Sequence, residues 1–288
     1  MTRHKRPEQA PITSPRSDRV RRIAALSGRS ARRRTGLIRA DGPQAVRSLL
    51  AESPDTVREL FLTERTSAAH PELAELGRAA GVSARLVPEH VVRALVRGDQ
   101  EGAGDDVPSP QGAVAVAERP ALGWEAAVHA LPAAGPVTVV VLCEVRDPGN
   151  VGTIVRTADA AGADLVLLTE DSADPFAPKA VRSSAGSVFH LPVVPGAPVQ
   201  PLFAALRARD VALAVTSGYA ATDLFCLDLP PRLAWVLGNE ARGVDAAALA
   251  AADHAVRIPL AGRAESLNVA TAATVCLFET LRRRPDRP

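Results

Sequence analysis

Three short clusters in the C-terminal half carry residue types able to grip an anion and orient a hydroxyl. The first is 144-EVRDPGNVGTIVRTADAAGAD-164. Asp, Pro, Gly and Asn open it and a helical pattern follows, so a turn delivers the chain into a helix with Arg156 on its early turns. A helix N-terminus after such a turn offers free amides and a positive dipole end to an anion, and Arg156 could add a bidentate grip on phosphate. An ordinary strand-turn-helix joint with a surface arginine would look the same. In 235-WVLGNEARGV-244 a buried strand runs straight into Gly238, Asn239 and Glu240. Gly238 lets backbone approach a ligand, and Glu240 is an acid where no helix needs one, although a glycine/asparagine turn is common in its own right. The third cluster is 258-IPLAGRAESLNVATAATVCLFETLRR-283. Ser266 sits where an N-cap belongs, which leaves Asn268, a poor helix former, unexplained on the first turn.

The elements around these clusters place all three alike. From Pro136 onward, apolar strands at 137–145, 164–170, 190–194, 211–217, 233–238 and 254–260 alternate with helices near 151–161, 178–188, 199–210, 245–252 and 266–283. That alternation predicts a mostly parallel sheet covered on both faces. Each cluster then lies at the carboxyl end of a strand, where α/β sheets hold ligands. Val151, Ile154, Val155, Ala158 and Ala161 should pack on the sheet, leaving Asn150, Thr153, Arg156 and Thr157 on another face. On the last helix Leu267, Ala270, Thr271, Thr274, Leu277, Phe278 and Leu281 form the expected apolar stripe.

Upstream, 35–118 reads as a smaller α/β domain with strands at 36–40, 57–63, 84–88 and 112–118 and helices at 43–52, 71–81 and 88–97. The stretch 98–112 is a Gly/Asp/Pro loop, and 119–135 is a partly helical linker. Residues 1–34 form a basic arm, disordered over 1–17, with a short helix over 18–26 and then the Arg32–Arg34 cluster. Residues 1–40 hold twelve Arg or Lys against two acids, which leaves 22 basic against 30 acidic groups elsewhere in a chain of 288 residues. Such a cluster is an electrostatic footprint for phosphate.

The chain lacks an apolar run able to span a bilayer and a signal-peptide core, which predicts a cytoplasmic protein. Cys143, Cys226 and Cys276 are far apart in apolar runs and read as reduced core thiols. The six histidines show no ligand-like spacing, so no metal is expected.

The series N-x-G-x-I-x-R-T-A (Asn150 to Ala158), L-G-N-E-x-x-G (Leu237 to Gly243) and I-P-L…S-L-N-V-A-x-A-A (Ile258 to Ala273) resembles the three motifs of the SpoU/TrmH family, RNA ribose 2′-O-methyltransferases that use S-adenosylmethionine. The resemblance covers about residues 137–283. It implies an α/β fold with a deep trefoil knot, a homodimer, and ribosomal RNA as substrate, with transfer RNA as the alternative. It further implies that residues 35–118 are an L30e-like RNA-binding domain. Residue by residue it assigns Thr216, Leu237, Gly238, Asn239, Ile258, Leu260 and Leu267 to the cofactor, and Asn150, Arg156, Glu240, Ser266 and Asn268 to catalysis. Two rivals are a nicotinamide-dependent Rossmann enzyme and a non-catalytic RNA-binding protein. Gly149-x-x-Gly152 falls short of the dinucleotide fingerprint, and retention of Arg156, Glu240, Ser266 and Asn268 argues against a degenerate domain.

Overall fold

A computed structural model describes residues 12, 14–97, 111–239, 243–244 and 246–284. Glu240, most of 98–112 and most of the first 17 residues lie outside the described residues. The chain divides into two units, Met1–Arg119 and Pro120–Pro288.

The first unit contains α1 (Asp18–Ala24), α2 (Arg29–Thr35), β1 (Leu37–Asp41), α3 (Pro43–Glu52), β2 (Val57–Leu62), α4 (Glu64–Ala69), α5 (Pro71–Ala79), β3 (Ala84–Leu86), α6 (Glu89–Arg97) and β4 (Ala113–Glu118). Its sheet has the order β1-β4-β2-β3. β4 is antiparallel to both β1 and β2, and β3 is parallel to β2. Helix α4 was not expected from sequence. Thr63 starts it by accepting from the Thr66 amide, a cap without any apolar period to announce it.

Much of the basic arm is structural. Val20, Ile23 and Leu26 are buried in one core cluster with Phe61, Val91, Leu95 and Val114. Arg32 is 2% exposed and donates to the carbonyls of Leu26 and Ser27 at 2.8 and 2.7 Å. Residues 18–35 therefore belong to the first unit, and Arg32 is taken up by chain carbonyls instead of phosphate. Reading 18–26 as a basic helix captured its charge but not the apolar face that buries it.

The second unit contains α7 (Trp124–His129), β5 (Val137–Leu142), α8 (Pro148–Ala160), β6 (Leu165–Thr169), α9 (Pro178–Ser183), β7 (Val193–Ala197), α10 (Val199–Arg207), β8 (Ala212–Thr216), β9 (Thr222–Asp223), β10 (Arg232–Leu237), α11 (Ala246–Ala250), β11 (His254–Arg257) and α12 (Val269–Arg283). Seven strands in the order β7-β6-β5-β10-β8-β11-β9 form a wholly parallel sheet. On one face Val137, Val139 and Val141 pack with Leu202, Phe203 and Leu206 of α10 and Ala127 and Val128 of α7. The supposed linker 119–135 thus contributes a core helix. On the other face α8, α9 and α12 pack together, and the Trp235 indole on β10 donates to Thr280 Oγ1 of α12 at 2.9 Å. Among the described residues no helix is long and apolar enough to cross a membrane.

Helix α12 starts at Val269, three residues later than expected, and its buried face is rotated. Ala270, Ala273, Cys276, Leu277 and Thr280 face inward, whereas Phe278 is 45% exposed. Burial pushes the Cys276 thiol up to about 12, the inert behaviour expected of a core cysteine. Cys143 is also buried, but Cys226 is exposed, a correction to the reading of all three as core thiols. An apolar neighbourhood in sequence did not translate into burial in the 224–226 turn.

The end of α12 is held by ionic contacts. Glu279 accepts from Arg282 Nε at 2.7 Å and Arg283 Nε at 2.6 Å, and Arg283 continues to the carbonyls of Leu227 and Phe225 at 2.5 and 2.6 Å. The Arg282 contact first, with Arg283 behind it, holds the Glu279 carboxyl down to about 2. A carboxyl depressed on folding stabilises the fold above its unfolded pKa, near 4.3, and that contribution fades as pH falls toward 2. The urea midpoint of Glu279→Gln should therefore lie below that of the parent at pH 7, and the gap should narrow steadily below about pH 5. A gap independent of pH would mean the ion pairs contribute nothing.

Candidate active site

The chain enters the site at the end of β5, where the Cys143 amide donates to the Leu237 carbonyl of β10 at 2.8 Å. Glu144 follows with φ of 54°, a left-handed conformation that costs a non-glycine residue energy and must be held by its surroundings. It is held on both sides. Its amide donates to Thr169 Oγ1 at 3.1 Å, and its carbonyl accepts from Asn239 Nδ2 at 3.1 Å. Asn239, expected against the cofactor, therefore ties the second cluster to the beginning of the first.

Helix α8 begins at Pro148 and not at Val151. Asp147 is its N-cap, accepting from the Gly149 amide and from the Asn150 amide at 3.2 Å. Lys179 of α9 reaches the other carboxylate oxygen at 3.0 Å. That contact, supported by the two amides, lowers the Asp147 pKa. The free amides expected to receive an anion are thus already satisfied by an acid of the chain itself. Asp followed by Pro at the first helical position is a recognisable start signal, and reading it would have found this cap.

Gly152 also has a structural purpose. A Cβ there would fall on the Ala180 carbonyl and 2.9 Å from the Ser184 amide, so α8 and α9 approach as closely as they do only because this residue lacks a side chain. Val151, Ile154, Val155 and Ala158 are fully buried as expected. The remaining positions split. Asn150 and Thr157 turn toward α12, while Arg156 is exposed and engages no described residue.

The decisive contact joins the first and third clusters, 118 residues apart. Asn268 Nδ2 donates to Asn150 Oδ1 at 3.2 Å, and further along Thr157 Oγ1 lies 3.4 Å from Thr274 Oγ1. Asn268, not Ser266, caps α12. Its Oδ1 accepts from the Ala270 and Thr271 amides at 2.8 and 3.4 Å. Capping favours asparagine over longer polar residues because its short side chain bends back onto the backbone, which explains the residue that helix propensity could not. Ser266 is exposed and makes no hydrogen bond to a described residue.

The residues assigned to a cofactor gather at the carboxyl ends of three adjacent strands. β8 lies between β10 and β11, Thr216 pairs in register with Val256, and Thr216 Oγ1 donates to Val236 O at 3.2 Å. Leu237 and Gly238 are buried, Ile258 and Leu267 half-buried, and Leu260 is 40% exposed. Just beyond β10, Asn239 and Gly243 exchange backbone hydrogen bonds at 2.9 and 2.8 Å.

Known proteins share this arrangement. A model described as the SpoU rRNA Methylase family matches residues 137–278. The 23S rRNA (guanosine-2′-O-)-methyltransferase RlmB of Bordetella pertussis is 31% identical over 246 residues, 84% of this chain and 96% of its own length. RlmP of Bacillus subtilis, named a 23S rRNA (guanosine(2553)-2′-O)-methyltransferase, is 32% identical over 93% of this chain and 97% of its own. A 23S rRNA (uridine(2479)-2′-O)-methyltransferase of Streptomyces viridochromogenes is 37% identical over 63% of each. Among solved structures, an AdoMet-bound rRNA methyltransferase from Sinorhizobium meliloti matches with a TM-score of 0.80 at 30% identity, covering 95% of this chain and 98% of that one. The SpoU methyltransferase AviRb of Streptomyces viridochromogenes, in complex with AdoMet, gives 0.76 at 30% identity, covering 95% and 100%. Sheet order, the meeting of the first and third clusters and these likenesses agree: the chain belongs to the SpoU rRNA methylase family.

Proposed function

We propose that this protein transfers the methyl group of S-adenosylmethionine to a ribose 2′-hydroxyl of 23S ribosomal RNA. The observation that carries the reading is the Asn150–Asn268 pair, which brings the two helices bearing the first and third motifs to one place at the carboxyl edge of the sheet. The residues at the ends of β8, β10 and β11 fit an adenosine: apolar side chains, a hydroxyl at Thr216, and a buried glycine at 238 that lets the backbone of Gly243 and Val244 pack directly on the end of β10. The cofactor supplies a sulfonium methyl when bound. The chain has to place the 2′-oxygen in line with that methyl and assist departure of its proton. Arginine stays protonated in proteins, so Arg156 is assigned to the phosphate of the target nucleotide and to the developing alkoxide. Glu240 and Ser266 complete the set carried over from the family. Two of the three relatives are named for a guanosine and one for a uridine, so family membership leaves the target position open. Supplying labelled S-adenosylmethionine and unmodified 23S rRNA should produce one alkali-resistant, 2′-O-methylated linkage; label on a base, or none, would sink the proposal.

The same reading gives the first unit the task of holding RNA, as an L30e-like domain would. In its support, Arg29, Arg33 and Arg34 are exposed and pair with no described residue, and a cavity of ≈ 760 Å³ is lined by Arg47, Arg65 and Arg93 among others. Deleting residues 1–34 would strip Val20, Ile23 and Leu26 from the core, so charge removal is the cleaner probe. Replacing Arg29, Arg33 and Arg34 together by serine should lower the slope of log K against log salt by about 2, since each neutralised phosphate accounts for roughly 0.7–0.9 of that slope, with cofactor affinity unchanged. An unaltered slope would clear these arginines of any role in binding RNA. A homodimer and the trefoil knot belong to the same proposal. Phe278, exposed on α12, is apolar surface a second copy would cover, and the packing of α12 on β10 and α8 after β11 is the observation that supports a knot.

A further inference from the structure

We infer that Asp147 and Lys179 are positioning residues for methyl transfer, acting through Asn150. This rests on the assignment of α8 as the catalytic helix. Asp147 sits between three structural demands. One carboxylate oxygen accepts from the Gly149 and Asn150 amides, and the other accepts from Lys179 Nζ at 3.0 Å. Asn150 is thereby fixed at its backbone by Asp147 and at its side chain by Asn268 Nδ2. Asn268 has no freedom to turn its amide over, because its oxygen is committed to the Ala270 amide at 2.8 Å. A single relay runs from Lys179 through Asp147 and Asn150 to Asn268, and it contains the N-caps of both helices.

The first turn of α8 is built around this relay. A Cβ on Gly149 would lie 2.7 Å from Asp147 Oδ1 and 3.1 Å from Lys179 Cε, so a side chain at 149 would crowd the ion pair. Gly152 lets α9, which carries Lys179, come within backbone contact of α8. Ser183 of α9 adds a hydroxyl 3.5 Å from the Pro148 carbonyl. Lys179 and Asp147 are half-exposed, with side chains 58% and 47% accessible, and a pair of that kind adds little to global stability. Its contribution lies in aim. Two helices that must meet a ribose at bonding distance have their N-termini indexed to each other, and an error of an ångström there is costly to the rate.

The test is a kinetic cycle on the full chain with 23S rRNA. Asp147→Ala should lower kcat about 10- to 100-fold, while the RNA KM and the S-adenosylmethionine Kd stay within about three-fold. Asp147→Asn, which still caps the helix but turns an amide nitrogen toward Lys179, should lose less than Asp147→Ala and about as much as Lys179→Met. In an Asn150→Ala background the Asp147→Ala change should cost less than about three-fold more, because its route to the substrate is already cut. Lys179→Met should lower kcat without raising the RNA KM, and Lys179→Arg should restore it. The inference is overturned if Asp147→Ala costs the same factor in both backgrounds, or if its effect falls on the RNA KM. It is overturned for Lys179 if Lys179→Met raises only KM, the mark of a direct phosphate contact. Failure of the parent protein to methylate RNA at all would instead remove the assignment on which the inference rests.

Discussion

Arg156→Ala should reduce kcat by about 10²- to 10³-fold while leaving S-adenosylmethionine affinity unchanged. The expectation follows from where Arg156 stands. It is on α8, six residues past the Asn150–Asn268 contact, exposed, and without a partner among the described residues. The residues assigned to the cofactor lie elsewhere, at the ends of β8 and β10 and between β11 and α12. Of the two charges assigned to Arg156, the phosphate is present in the ground state and the alkoxide forms only in the transition state, so loss of the second should appear in kcat and loss of the first in the RNA KM. Because nothing described rests on its guanidinium, the unfolding midpoint should stay within experimental error of the parent's. Arg156→Lys is the sharper variant. Lysine keeps the charge but loses the planar fork, and if the fork grips phosphate and alkoxide together turnover should fall by more than about ten-fold. Near-normal turnover by the lysine enzyme would reject any role needing two directed donors. A rise in cofactor Kd matching the fall in rate would move Arg156 into the cofactor site.

What the sequence could and could not disclose follows from the range of each interaction. The parallel sheet was legible because strands buried on both faces must be continuously apolar, and 137-VTVVVLC-143 has no other way to be hidden. The three clusters were legible because each needs an unusual local composition at a strand end. Their pairing was not, since the Asn150–Asn268 bond spans 118 positions and no local pattern encodes it. The misreadings have related causes. Ser266 fits an N-cap as well as Asn268 does by residue type, but it is Asn268 that takes the Ala270 and Thr271 amides and reaches Asn150. Arg32–Arg34 look alike as a run of charges, yet α2 turns Arg32 into the interior, where two carbonyls receive it, and leaves its neighbours outside. Residues 124–131 lack the length of a convincing helix, and α7 exists because Ala127, Val128 and Leu131 fill a gap beside α10.

Gly238→Ala is expected to abolish measurable S-adenosylmethionine binding, raising Kd by at least about 100-fold, although a single methyl group is added. The added Cβ would fall on the Gly243 carbonyl carbon and the Val244 amide nitrogen and 2.5 Å from Gly243 O. These are backbone atoms, so no rotamer change can relieve the overlap. The neighbours cannot retreat either. Gly243 is bound to Asn239 in both directions, and Asn239 is tied to the Glu144 carbonyl. The Asn239–Gly243 pairing must open, disturbing both the residues at the end of β10 assigned to the cofactor and the tether that holds Glu144 in its left-handed conformation. Overpacking of this kind typically costs about 1–3 kcal/mol, and here the cost falls on the ligand-binding edge while β10 itself stays anchored between β5 and β8. Thermal unfolding of the ligand-free variant should therefore shift by only a few degrees, whereas the stabilisation that the cofactor gives the parent should vanish. A variant that binds S-adenosylmethionine normally would place the cofactor away from the end of β10.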